Sequence, residues 1–223
     1  MPETVMGRIV KGVGGLYEIA LEGGERVSCR AKGAFRHDDI KPYVGDVVSV
    51  GYDDAGNPVI SEIEARKNSL IRPPLANLDI IFIVLSAKNP TADLLTADKL
   101  IAIAEHNGIE PIIVISKRDL DSENADKIKE TYEKCGFTVF NSELCGENSV
   151  ECGGIYDFIK ENLSDKISAF AGASGAGKST LMKLINSMLV PNEGKIVLGY
   201  NIKIGYYDQE NRGLTDSNTV FGE

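Results

Sequence analysis

The fold that this sequence predicts is a small β-barrel of five short strands followed by a three-layer α/β domain. Three observations predict it. Alternating apolar segments separated by tight turns fill the first third of the chain, and unbroken Ile/Val-rich runs alternate with amphipathic stretches from Leu78 onward. A glycine-rich loop of the form GxxxxGK[ST] lies late in the chain, between a strand and a helix. With 223 residues, 43% hydrophobic and 26% charged, the chain is long enough for one large domain or two modest ones with real cores.

The segments "VMGRIV", "LYEIAL", "RVSCRA", "DVVSVGY" and "PVISEIEA" alternate apolar and polar residues with the period of two that a half-buried strand requires. Turn signals "GVGG", "EGGE" and "DDAGN" separate them. The stretch "RKNSLIRPPLANLD" carries a Pro-Pro pair and little periodicity, which predicts a boundary near residues 68–77, between a barrel domain at 1–70 and a nucleotide-binding domain at 71–223. Beyond it, "LDIIFIVLS" and "EPIIVISK" read as strands buried on both faces of a parallel sheet. Between them "TADLLTADKLIAIAEHNG" reads as a helix with Thr91 as its N-cap and Gly108 as its stop. "DSENADKIKETYEKCG" is a second helix, "FTVF" a short strand, "GGIYDFIKENL" a third helix and "KISAFA" a further buried strand. Late strands "KIVLG" and "NIKIGYY" are expected to pair as a hairpin that completes the sheet.

Composition excludes several classes. No run approaches the roughly 20 apolar residues of a membrane span, and "MPETVMGRIVKG" lacks the pattern of a secretory signal, so a cytoplasmic, membrane-free protein is expected. Cys29, Cys135, Cys145 and Cys152 form no CxxC pair and have only His37 and His106 to help them, so free thiols are expected and no zinc. The net charge of −9 is unevenly placed: residues 1–72 carry ten Lys and Arg against eleven Asp and Glu. Five of those ten bases, Arg26, Arg30, Lys32, Arg36 and Lys41, fall in one sixteen-residue window. That window reads either as a basic nucleic-acid face or as a solvated strand edge.

The loop Gly172-Ala173-Ser174-Gly175-Ala176-Gly177-Lys178-Ser179-Thr180 has the strand "KISAFA" before it and the amphipathic helix "STLMKLINSML" after it, the context a phosphate-binding loop requires. Its glycines let backbone N–H groups converge on phosphate, and the helix N-terminus favours negative charge. Lys178 is assigned to the β and γ phosphates and the Ser179 hydroxyl to Mg²⁺, making these two the catalytic candidates. At the end of a strand, Ser116-Lys117-Arg118-Asp119 stands where an [N/T]KxD guanine motif would stand. Asp119 can accept from guanine N1–H and the exocyclic amine, and the Lys117 stem can lie along the base. An Asp at a strand-to-helix turn is also an ordinary helix cap. The base-reading candidate precedes the phosphate loop, the reverse of the Ras-like order, which marks a circular permutation.

The chain resembles the ribosome small subunit-dependent GTPases, the RsgA family, over roughly residues 7–180. The resemblance rests on "GRIVKGVGGLYEI", "CRAKGAFR", "IKPYVGDVVSV", "ARKNSLIRPPLANLD", "IEPIIVISKRDL" and "FAGASGAGKS", in the family's order. It implies an N-terminal OB-fold barrel facing ribosomal RNA through the basic window, then a circularly permuted GTPase domain. It also implies Mg²⁺ with GTP or GDP, GTP hydrolysis coupled to small-subunit maturation, and a monomer.

After the loop the family's DxPG motif and Cys/His zinc tail are not found: no DxxG follows Lys178 and no cysteine follows Cys152. Residues 178–223 instead resemble the start of an ABC-F-type ATP-binding cassette, in which Gln209 would be the residue contacting Mg²⁺ and the attacking water. A solvated hairpin residue is the other reading of Gln209. The chain is therefore expected to join two families at the loop they share, as a GTPase weaker in hydrolysis than in binding. A cassette fragment, or an RNA-binding barrel carrying an incompetent nucleotide domain, are the alternatives.

Overall fold

The structure, a computed structural model, describes residues 4–31, 41–144, 149–151, 154–185 and 190–191. The first five strands are β1 (Val5–Val13), β2 (Leu16–Leu21), β3 (Arg26–Ala31), β4 (Val47–Tyr52) and β5 (Pro58–Ile63). They close into a barrel in the order β1-β2-β3-β5-β4, with β1 and β4 pairing antiparallel to seal it and β3 and β5 pairing parallel. Closure removes the exposed edges that a five-stranded sheet would otherwise present. The period-two alternation carries Ile9, Ile19, Cys29, Val48, Val50 and Ile60 inside. Burial pushes the Cys29 thiol up to about 11, so this cysteine packs as a small apolar group.

Residues 68–77, which lack periodicity in the sequence, are built rather than loose. Two short strands, β6 (Ser69–Leu70) and β7 (Leu75–Ala76), form a hairpin, and Val44 beside the barrel bridges to Leu75. Side-chain amides do the work that apolar patterning does elsewhere. The Asn68 amide donates to the Leu78 carbonyl at 2.8 Å and accepts from the Leu78 N–H at 2.9 Å, while the Asn77 amide donates to the Gly45 carbonyl at 3.1 Å. Gly45 sits at φ 99°, and a Cβ there would lie 2.0 Å from the Ala76 carbonyl oxygen. Gly45→Ala is expected to cost about 3 kcal/mol, combining left-handed strain with a backbone clash; urea denaturation monitored by circular dichroism checks this.

The α/β domain comprises β8 (Ile80–Ser86), α1 (Leu94–His106), β9 (Glu110–Ser116), α2 (Ser122–Lys134), β10 (Thr138–Leu144), β11 (Ser149–Glu151), α3 (Ile155–Asn162), β12 (Ser168–Gly172), α4 (Lys178–Ile185) and β13 (Val190–Pro191). The sheet order is β12-β8-β9-β10-β11-β13, parallel from β12 through β10. Unbroken Ile/Val runs follow from burial on both faces. Ile81, Ile83 and Leu85 meet α1 and α2 on one side, and Ile80, Phe82 and Val84 meet α3 and α4 on the other. Phe82 stacks on Phe170 at 4.7 Å, which braces the strand entering the glycine-rich loop.

One helix start differs from the sequence reading in an instructive way. The cap of α1 is Asp93, not Thr91: Asp93 accepts from the Leu95 N–H at 3.1 Å and from the Thr96 hydroxyl at 2.6 Å. A carboxylate placed two residues nearer the helix outcompetes the hydroxyl. Gly108, at φ 67°, ends the helix as expected, just after Asn107. The anticipated hairpin of "KIVLG" and "NIKIGYY", and Gln209 with it, lie outside the described residues.

Candidate functional site

The glycine-rich loop leaves β12 where its backbone passes close against β8. Gly172 has φ 148°, and a Cβ there would lie 2.4 Å from the Val84 carbonyl oxygen on β8. Gly175 and Gly177 take φ 75° and 93°, conformations that side chains rarely adopt. Between them Ala176 is buried, its N–H donating to the Ala173 carbonyl at 3.2 Å, so this alanine anchors the loop while Ala173, Ser174 and Gly175 stay exposed. Lys178 opens α4, and its ammonium donates to the Gly172 and Ala173 carbonyls, each at 2.6 Å. Burial lowers the Lys178 pKa below the ordinary lysine value. Ser179 is exposed at the helix start, and Thr180 is half-buried behind it. This is a cradle of small residues, backbone donors and one cation at a helix N-terminus, and it fits a phosphate chain.

The base-reading candidates lie one strand beyond the neighbour of β12. Ser116 ends β9 with its side chain buried, and its hydroxyl donates to the Ala176 carbonyl at 2.6 Å. Ser116 thus ties the two motifs together through the loop backbone rather than facing outward toward a base. Lys117 follows in a left-handed conformation, φ 58°, and its ammonium donates to the Asn89 carbonyl. Asp119 is exposed within the short 3-10 turn Arg118–Leu120. It is not the cap of α2. That role falls to Asp121, whose carboxylate accepts from the Asn124 N–H at 3.1 Å, which removes the capping explanation of Asp119.

Sequence reading passed over Ser142, which lies two residues beyond the expected short strand "FTVF". It is buried near the C-terminal end of β10, in register with Ser116 on the neighbouring parallel strand, so it borders the same end of the sheet. No side-chain pattern marked it; only the strand order does. Behind the glycine-rich loop, on the α1 side, a cavity of about 370 Å³ is lined by Leu85, Pro90, Ala97, Leu100, Ala171 and Ala173. Its lining is mostly apolar, with Ser86, Asp93 and Thr96 as polar members, and it includes Gly172 and Ala176 of the glycine-rich loop.

Of the basic window, Arg26 and Arg30 lie on β3 and Lys41 is exposed; Lys32 and Arg36 lie outside the described residues. Arg26 is paired with Glu18 at 2.8 Å, so part of the expected positive charge is neutralised on the strand. Among the described residues no group of three or more His, Cys, Asp or Glu side chains could hold a metal ion. Among the same residues no helix is long and apolar enough to cross a membrane.

A closed five-stranded OB-type barrel, a parallel sheet with helices on both faces, and a glycine-rich loop that follows the Ser116–Asp119 turn in the chain define the architecture of a circularly permuted nucleotide-binding protein. The chain belongs to the RsgA GTPase family: the family's sequence model matches residues 63–198, and that of the RsgA N-terminal domain matches residues 6–60. It is 41% identical over 196 residues to a small ribosomal subunit biogenesis GTPase RsgA of Caldanaerobacter subterraneus, covering 87% of this chain and 64% of that one. A Clostridium beijerinckii protein of the same name is 36% identical over 200 residues, covering 89% and 65%. Among solved structures the chain is similar to YloQ, described as a circularly permuted GTPase, with a TM-score of 0.61, 33% identity, and 83% and 66% of the two chains covered. It is also similar to YjeQ from Thermotoga maritima, with a TM-score of 0.63, 32% identity, and 82% and 66% covered. The chain thus spans somewhat under two thirds of the length of these RsgA relatives. The cassette resemblance expected from residue 178 onward finds no support, because the GTPase family model continues through the glycine-rich loop to residue 198.

Proposed function

We propose that this chain binds guanine nucleotide with Mg²⁺ and acts as a GTPase in maturation of the small ribosomal subunit, as a monomer in the cytoplasm. The observation that carries the nucleotide reading is the 2.6 Å hydrogen bond from Ser116 to the Ala176 carbonyl, which locks the base-reading turn to the phosphate loop. In this reading Gly172 to Thr180 enclose the phosphates and Lys178 meets the β and γ groups. Lys117 lies along the base and Asp119 accepts from guanine N1–H and the exocyclic amine. Phosphoryl transfer to water asks little covalent chemistry of the protein: catalysis is positioning plus stabilisation of charge that develops on the transferred group, and Lys178 supplies such charge here. Mg²⁺ held through Ser179 would neutralise phosphate charge when bound. The barrel, with Arg30 and Lys41 exposed and the remainder of the basic window nearby in sequence, is assigned to ribosomal RNA, where phosphate contacts would make association salt-dependent.

The relatives' printed names and the family match support this reading, and base selectivity tests it. With fluorescent GDP and ADP, GDP should bind at least about tenfold more tightly, one good charge-assisted pair being worth more than 1.4 kcal/mol. Asp119→Asn exchanges an acceptor for a donor, so GDP affinity should fall by about tenfold or more while xanthosine diphosphate, with a carbonyl in place of the amine, gains. Equal binding of GDP and ADP by the unmodified chain would overturn the guanine assignment.

A further inference from the structure

The loop between β8 and α1, residues 87–93, touches both halves of the site and belongs to neither motif. On the base side it is fastened at three points. The Ala87 N–H donates to the Ser116 carbonyl at 2.9 Å, the Asn124 side-chain amide donates to the Ala87 carbonyl at 2.8 Å, and Lys88 pairs with Asp121 at 3.6 Å. Internally the Ser86 hydroxyl donates to the Lys88 carbonyl at 2.7 Å and the Ala92 N–H to the Ser86 carbonyl at 3.0 Å. On the phosphate side Pro90 presses on the loop tip, its Cδ 3.3 Å from where a Cβ on Gly175 would lie. At the apex Asn89 takes φ 51°, which turns its carbonyl onto the Lys117 ammonium.

We infer that Asn89 is a positioning residue for nucleotide binding: its left-handed backbone presents the carbonyl that holds Lys117 in place along the base. The argument is conformational. A long lysine side chain loses close to 2 kcal/mol of rotamer freedom when fixed, and a lysine already held at its ammonium loses less of it when the nucleotide arrives. Asn tolerates φ near +50° far better than most residues, and a β-branched side chain does not. Asn89 thus acts through its backbone, and Lys117 is the group it positions. The same loop, braced by Asn124 and tipped by Pro90, keeps the base and phosphate halves at a fixed separation.

The inference rests on the guanine-nucleotide reading, and a double-mutant cycle on the intact chain separates the two. Asn89→Val should lower GDP affinity about tenfold, with IDP affinity lowered by the same factor, because Lys117 contacts the ring that both bases share and Asp119 is untouched. Asn89→Gly, which keeps the left-handed backbone, should restore affinity to within about twofold. In a Lys117→Ala background Asn89→Val should cost nothing further. If the two losses add, or if Asn89→Gly is as weak as Asn89→Val, Asn89 does not act through Lys117 and the inference fails while the nucleotide reading stands. A purely structural role would lower the melting temperature and leave the cycle additive. An unmodified chain with no saturable GDP binding would sink the nucleotide reading itself.

Discussion

Lys178→Ala is expected to weaken GDP and GTP binding by about 10² to 10³-fold with little change in melting temperature, a loss of roughly 3 to 4 kcal/mol from one removed cationic donor. In the free protein the ammonium is spent on the carbonyls of Gly172 and Ala173, which hold it at the place where phosphate oxygens would compete for it. Because burial lowers its pKa, the lysine loses its proton at a lower pH than an exposed lysine does. Phosphate, being anionic, binds the charged form. Affinity should therefore be level at neutral pH and fall as pH rises through the depressed value, and Lys178→Ala should make that slope shallower, leaving only the part due to loss of the guanine N1 proton. For stability the sign is opposite: a lysine with a lowered folded-state pKa costs stability while both states are charged, and the cost fades as pH rises through the folded value and is gone above the unfolded one. Titration of fluorescent GDP between pH 7 and pH 10.5 on both forms measures the first effect. An equally steep slope in Lys178→Ala would assign it to another group.

The parts of this protein that were legible in its sequence are those governed by periodic burial. Alternation placed Ile9, Ile19, Val48 and Ile60 in the barrel, and continuous apolar runs placed Ile80 to Leu85 between two helical layers, because one-sided and two-sided burial leave different periods. What escaped is held by polar groups acting one at a time. The hairpin at residues 69–76 hangs on the amides of Asn68 and Asn77, and no periodicity announces an amide that replaces a strand partner. Thr91 and Asp93 are both good caps two residues apart, and only the backbone path chooses between them. Within the candidate site, the glycine-rich loop was legible because its glycines are demanded by φ and by the proximity of Val84. The inward turn of Ser116, the α2 cap at Asp121 and the grip of Asn89 on Lys117 depend on which loops the topology brings together. The cassette resemblance, which finds no support in the comparisons, rests in part on a shared requirement: a GKST loop followed by an amphipathic helix is common to phosphate-binding families that differ in everything around it.

Asp46→Ala should be among the most destabilising single substitutions in the barrel, by about 3 kcal/mol. Asp46 is fully buried and stands just before β4. Its carboxylate accepts from Arg66 Nε at 2.7 Å, from Arg66 Nη2 at 2.8 Å and from the Tyr43 N–H at 2.7 Å. The same guanidinium lies 4.3 Å over the Tyr43 ring and donates to the Lys41 carbonyl at 2.6 Å, and the hydrogen bond with Asp46 raises the Arg66 pKa. Arg66, three residues beyond β5, therefore ties that part of the chain to the segment leading into β4, and the fork geometry satisfies both carboxylate oxygens at once. Removing the carboxylate leaves a cation three-quarters buried and a backbone N–H without its acceptor, and both losses are costs rather than missing gains. Arg66→Lys should cost less, about 1 to 2 kcal/mol, since a single ammonium can meet one carboxylate oxygen but not two while also reaching Lys41. The ordering also bears on the proposed RNA face, because the grip on the Lys41 carbonyl fixes the end of the basic window. Both substitutions should weaken small-subunit association more than GDP binding, measured on the folded fraction by filter binding and by fluorescence titration. Equal loss of the two would mean that the barrel and the nucleotide domain do not fold as separable units.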